Sequence, residues 1–180
     1  MKRSLAALAL LVTAVSAAQA DNRIALGALS PGMSQAEVER VFPGAAPKCL
    51  DVEGKTVCGY SVAADNLQPL AGERVLRWDL ILDDERNLDF VMAQFAAGAF
   101  ERVAGTFGQR YGEPAESRDD ERGQRIRMAW DGGDTAMAVM RMKTSTLAVL
   151  TSHRRLETFV NNVQGGAGIR PAGNRGVSPR

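Results

Sequence analysis

The chain is short of the residues on which most protein chemistry depends. Its 180 residues include one histidine, His153, and two cysteines, Cys49 and Cys58. That is a poor set for zinc, and the two cysteines are too far apart for a C-x-x-C redox or metal pair. No G-x-S-x-G elbow accompanies Ser61, Ser145 or Ser152, so a Ser-His-Asp triad on His153 lacks its nucleophile signature. His153 instead reads as a surface residue beside Arg154 and Arg155. A D-x-D-x-D-G calcium loop is missing, as is a glycine-rich phosphate loop ahead of a helix. Two acidic clusters, Asp83-Asp84-Glu85 and Asp119-Asp120-Glu121, contain carboxylate pairs of the kind glycosidases use. Both fall in turn-like segments next to Arg86, Arg118 and Arg122, and read as solvated turn charge.

Long apolar runs are equally scarce. The one at the start, residues 5–15, follows Lys2 and Arg3 and leads to Ala18-Gln19-Ala20. Positive start, short apolar stretch and A-x-A site together read as a secretory signal peptide over residues 1–20, cleaved before Asp21. The run is too short to span a bilayer comfortably. No cysteine follows the cleavage site, which argues against a lipid-anchored product. Cleavage lowers Lys+Arg from 22 to 20 against 21 Asp+Glu. That near-neutral balance gives no electrostatic footprint for nucleic acid or an anionic membrane. No later segment is long and apolar enough to span a membrane, and no metal or cofactor is expected. In an exported chain Cys49 and Cys58 should form a disulfide. The segment between them has Glu53-Gly54-Lys55 at its middle, which reads as a hairpin turn that sets the two cysteines side by side.

The clearest local signal is Ser30-Pro-Gly-Met-Ser-Gln-Ala-Glu-Val-Glu-Arg-Val-Phe-Pro43. Ser34 and Glu37 can form a capping box, with Met33 and Val38 as a hydrophobic staple. Val38, Val41 and Phe42 then share one face, and Pro43 ends the helix. So short a helix is unstable alone, so Met33, Val38, Val41 and Phe42 should lie against a strand containing Trp78. Residues 47–62 form the cystine hairpin and residues 63–72 a loop. Residues 74–83 alternate, with Leu76, Trp78, Leu80 and Leu82 on one face of a strand, and residues 88–94 run back. Phe100, Val103, Ala104, Phe107 and Tyr111 recur at helical spacing from about residue 97, with Gly112 and Pro114 as the stop. Residues 116–123 read as a charged loop. Strands follow at 124–130, 135–142 and 146–152, with Asp131-Gly-Gly-Asp134 as a tight turn. Leu156, Phe159, Val160 and Val163 mark a short closing helix. Residues 164–180 carry little to bury and read as a disordered tail.

A capped helix followed by antiparallel strands thus occurs twice, over residues 21–94 and 95–163. The expected fold is α+β: two helix-plus-antiparallel-meander units in tandem, helices on one sheet face and the other face open to solvent or a partner. Met128, Met137, Met140 and Met142 lie in the last strands and read mainly as core fillers. Arg125, Arg127 and Arg141 are expected on the outer face. With Met140 they form a candidate partner surface, since Arg and Met are enriched at interfaces.

The stretch Leu29-Ser-Pro-Gly-Met-Ser-Gln-Ala-Glu-Val38 resembles the "G-M-(S/T)-x-x-E-V" helix start of the exported α/β modules grouped with the SmpA/OmlA outer-membrane-assembly lipoproteins and the β-lactamase inhibitor protein. Phe100-Glu-Arg-Val-Ala-Gly-Thr-Phe-Gly-Gln-Arg-Tyr-Gly-Glu-Pro114 is similar to the "F-x-x-V…YG-x-P" helix of uncharacterised periplasmic proteins. The resemblance spans about thirty residues. It implies a helix-plus-meander unit and protein binding rather than catalysis. The chain lacks the lipoprotein cysteine of the outer-membrane-assembly members. The expected function is therefore a periplasmic, non-enzymatic interaction module whose partner is another envelope protein. Alternatives are an inhibitor of a periplasmic enzyme, inserting loop 63–72 into a cleft, and a small exported hydrolase or ligand binder.

Overall fold

A computed structural model describes residues 24–52, 54–63 and 69–164. The expected signal peptide lies outside the described residues, as does the expected tail except for Gln164, which is helical. The opening helix α1 (Gln35–Val41) starts as its sequence dictates: the Ser34 N–H and hydroxyl both donate to the Glu37 carboxylate, each at 2.8 Å. Two hairpins follow, β1 (Lys48–Val52) with β2 (Lys55–Ala63), and β3 (Arg77–Leu82) with β4 (Leu88–Ala96). A 3₁₀ turn, Ala97–Ala99, then leads into α2 (Phe100–Tyr111). Gly112 ends α2 at φ +84°, where its N–H returns to the Gly108 carbonyl; a side chain would strain that left-handed stop. Four strands, β5 (Glu116–Asp119), β6 (Arg125–Asp131), β7 (Thr135–Arg141) and β8 (Ser145–Ser152), precede α3 (His153–Gln164).

All eight strands form one antiparallel sheet in the order β1-β2-β3-β4-β8-β7-β6-β5. The fold is α+β, and its two halves meet where β4 pairs with β8. In each half a helix is followed by four strands in meander order that start at a sheet edge, β1 or β5, and run in to the central β4–β8 pair.

α1 and α2 share one core. Val38 and Phe42 join Trp78, Leu80 and Val91, and the same cluster runs on through Phe100, Val103 and Phe107 to Trp130 and Met137. The Phe42 and Trp78 rings are 6.0 Å apart. Met33 and Val41 are half-buried against that core. The expected placement of α1 against the Trp78 strand therefore holds.

The remaining departures have physical causes. The second sheet face is not open throughout: α3 lies on it, burying Leu156 and Val160 against Phe90, Ala138, Met140 and Val149. The expected closing helix is this element, with Leu156 and Val160 on its buried face. Residues 116–119, expected as loop, are strand β5. Its sequence ESRD has nothing to bury, and periodicity cannot reveal a strand exposed at every residue. Leu76 lies before β3 and is exposed, because the paired register starts at Arg77↔Gln94.

Candidate interaction surface

The two sheet edges differ in what they expose. At one end β5 carries only polar and charged side chains, and these are engaged: Glu116 pairs with Arg127, and Asp119 with Arg125 at 2.8 Å. Charged edges resist strand addition. At the other end β1 pairs only with β2 among the described residues. Every residue of β1 is exposed, including Leu50 and Val52, at 69% and 52%.

The geometry of this hairpin follows from its cysteines. Cys49 and Cys58 are directly opposed, with Cα atoms 4.0 Å apart, and form the expected disulfide. So close a pair is of the non-hydrogen-bonded type, so the N–H and C=O groups of Cys49, and of Asp51 two residues on, point out from the sheet edge. Cys58 is buried in the α1–α2 core. Strand alternation therefore places Leu50, Val52 and Val57 on the opposite face. On that face the register leads from Val57 past Gly59 to Ile81 and then Phe90, beneath α3. An apolar strip thus begins at the free edge and ends under a helix. Beside it, Lys55, Val57, Ile81, Asp83, Asp84 and Arg155 line a cavity of about 170 Å³ between the hairpin and α3. Arg155 is held there by Asp89 at 2.6 Å, and Arg86 donates to Cys49 Sγ at 3.6 Å.

Nothing in the periodicity of residues 47–62 marks Leu50, Val52 and Val57 as a group. The signal was available: once Cys49 and Cys58 are assigned to one face of a hairpin, alternation puts these three apolar residues together on the other.

The residues expected to form a partner surface do not come together. Met140 is fully buried beneath α3, because β7 is an inner strand covered on both faces. Arg127 lies on that same α3 side and is largely covered, paired with Glu116. Arg141 is on the α2 side, its guanidinium 4.6 Å from the centre of the Phe100 ring and 2.6 Å from Glu101. Arg125 joins it there: a register shift after Arg118 sets Asp119 opposite Arg125, and Glu101 also acts on Arg125. That irregularity turns Arg125 away from Arg127, while the regular pairing of Arg127 with Met140 already sets Arg141, the next residue of β7, on the other face.

His153, the first residue of α3, brings Nε2 to 3.1 Å from both Asp131 Oδ1 and the Gly133 carbonyl. Two acceptors on one nitrogen mean that Nε2 carries the proton. The Asp131 carboxyl is held below its ordinary range by the Gly133 N–H first, then by His153. The contact ties α3 to the β6–β7 turn, and both side chains are about half exposed. The acidic clusters serve turns. Asp83 Oδ1 accepts from the N–H groups of Glu85 and Asn87, and Asp120 Oδ1 from those of Arg122 and Gln124. Of loop 63–72, residues 64–68 lie outside the described residues. Among the described residues no group of three or more His, Cys, Asp or Glu is placed to hold a metal ion, and no helix is long and apolar enough to cross a membrane.

Comparison of the chain with protein-family models, with curated proteins and with solved structures returns no match.

Proposed function

We propose that the chain is an exported, non-enzymatic protein-interaction module that binds its partner by strand addition at β1. The observation that carries this reading is the asymmetry of the sheet edges. The β5 edge holds no apolar side chain and is ion-paired, whereas the β1 edge exposes Leu50 and Val52 between Lys48 and Asp51 and is fixed by a disulfide. A partner strand laid along β1 would pair with the outward N–H and C=O groups of Cys49 and Asp51. Its alternate side chains would cover Leu50 and Val52, the usual division between affinity from main chain and specificity from side chains. The disulfide fits export, since such bonds persist in oxidising compartments. The order of elements in the two halves is compatible with a tandem repeat of one helix-plus-meander unit, as the SmpA/OmlA-like resemblance implies, and with an envelope partner.

The test uses Leu50→Glu/Val52→Glu. Both side chains are exposed, so the variant should fold with a stability change within about 0.5 kcal/mol. The native chain, mature from Asp21 by mass, should capture a defined envelope protein that the variant fails to retain. Equal retention by both would sink the strand-addition reading.

A further inference from the structure

Arg86 stands where its residue type is unfavourable. It lies in the turn between β3 and β4 at φ +65°, in the left-handed region, and among the described residues every other residue there except Ala71 is glycine. Glycine takes that conformation freely, and a residue with a β-carbon does not. The turn is held firmly: the Arg86 N–H donates to the Asp83 carbonyl at 3.1 Å, and the Arg86 carbonyl accepts from the Gln35 N–H of α1 at 3.0 Å. From this fixed point the exposed side chain reaches over β2 to the edge strand, where its guanidinium meets Cys49 Sγ at 3.6 Å.

That contact leaves most of the group unused. A sulfur is a weak acceptor and a guanidinium has several donors, and Arg86 makes no ion pair among the described residues. The hairpin dictates what comes next to it. The outward N–H and C=O groups of Cys49 would pair with one residue of an incoming antiparallel strand, at a Cα separation of about 5.5 Å. The side chain of that residue stands on the same face as Cys49, beside the guanidinium. Its neighbour in the strand falls on the other face, over Leu50. A slip of two residues would instead set it against Asp51, whose Oδ1 already accepts from the Thr56 hydroxyl at 2.7 Å.

We propose, on the footing of strand addition at β1, that Arg86 is the specificity-determining residue of this edge. It selects a partner strand with a carboxylate side chain opposite Cys49 and an apolar one opposite Leu50. The carboxylate meets the guanidinium in the geometry that arginine matches best. Asp51 fixes the register, since like charges directly opposite each other are unfavourable. Leu50 and Val52 then supply apolar contact, and Arg86 supplies discrimination.

The test titrates the intact, disulfide-bonded, ¹⁵N-labelled chain with two short peptides of alternating threonine and valine. In one a central threonine is replaced by glutamate, in the other by glutamine. The Cys49 and Asp51 amides should shift with both peptides, as outward donors that gain an acceptor, while those of β5 stay in place. The glutamate peptide should bind about 1.5-fold to fivefold more tightly, the range of an exposed cross-strand charge pair. Arg86→Glu should reverse that order. Arg86→Gly, relieved of the backbone strain, should unfold at an equal or higher urea concentration and bind the two peptides equally. Sedimentation should show the native chain as a monomer. Equal affinity of the native chain for the two peptides, or an unchanged preference in Arg86→Gly, would overturn the role of Arg86 and leave strand addition standing. Peptides that move no β1 amide would overturn both. A native dimer that Arg86→Glu dissociates would assign the edge to a second copy of the chain and overturn the proposal too.

Discussion

Glu37 shows how one carboxylate can set where the chain turns. It accepts from both the backbone and the hydroxyl of Ser34, and these bonds, the backbone one first, hold its carboxyl below the ordinary value of 4.5. A depressed folded-state value means that the ionised form favours folding. Its contribution is full above pH 4.5 and fades as pH falls through the lower folded value. Glu73, paired with Arg102, and Asp131 act in the same direction. Urea titrations from pH 6 down to about pH 3 should show falling stability, with a shallower slope in Glu37→Gln. Tyr60 acts at the opposite extreme. Burial first, then its hydrogen bond to Glu39 at 3.1 Å, raises the phenol from 10.0 to about 12. The stability it contributes is full below pH 10 and is lost as pH rises through about 12. Spectrophotometric titration should show a tyrosine ionising near pH 12 that disappears in Tyr60→Phe. Gly59 is constrained by space: a Cβ there would sit 2.3 Å from the Leu80 carbonyl oxygen. Gly59→Ala should cost about 1–3 kcal/mol by denaturant unfolding, as overpacking does. A change within experimental error would show that the β2–β3 spacing is looser than described.

At the level of elements, the β1–β2 hairpin depends on its cross-link more than any other pair. All of β1 is exposed, so it contributes little apolar burial of its own. The disulfide closes a loop with a sequence separation of 9, and chain-entropy arguments give about 2.5 kcal/mol for a loop of that order. Cys49→Ala/Cys58→Ala should therefore lose about 2–3 kcal/mol. Amide exchange should accelerate in β1 before it does in β4 or β8. Strand β5 holds the opposite edge without a cross-link, through pairing with β6 and its ion pairs. Much of this was legible in the sequence. Capping residues wrote the start of α1, Gly112 wrote the end of α2, and alternation wrote β3. β5 was not legible because a strand exposed on both faces has no period to read. Nor was the disposition of Arg125, Arg127 and Arg141, because a register irregularity after Arg118 turns Arg125 and the β6–β7 register, which pairs Arg127 with Met140, turns Arg141.

For the whole molecule, local pattern gave every element of both halves except β5, but not their joining. The β4–β8 pairing that makes one sheet sets Phe90 opposite Thr151 and Ala93 opposite Ala148, across about sixty residues of chain. No local signal encodes that contact. The position of α3 was hidden for the same reason, and with it the fate of Met140, which an isolated strand shows as one of two faces and the assembled sheet shows as core. What the assembled sheet leaves uncovered is the β1 edge with Leu50, Val52 and Val57. The most direct measurement of its role is site-specific photo-crosslinking of the exported chain in intact cells, with benzoylphenylalanine at Val52 in β1 or at Ser117 in β5. Strand addition at β1 predicts one discrete heterologous adduct from position 52 and none from position 117. No adduct at 52, or the same adduct from both edges, would contradict it.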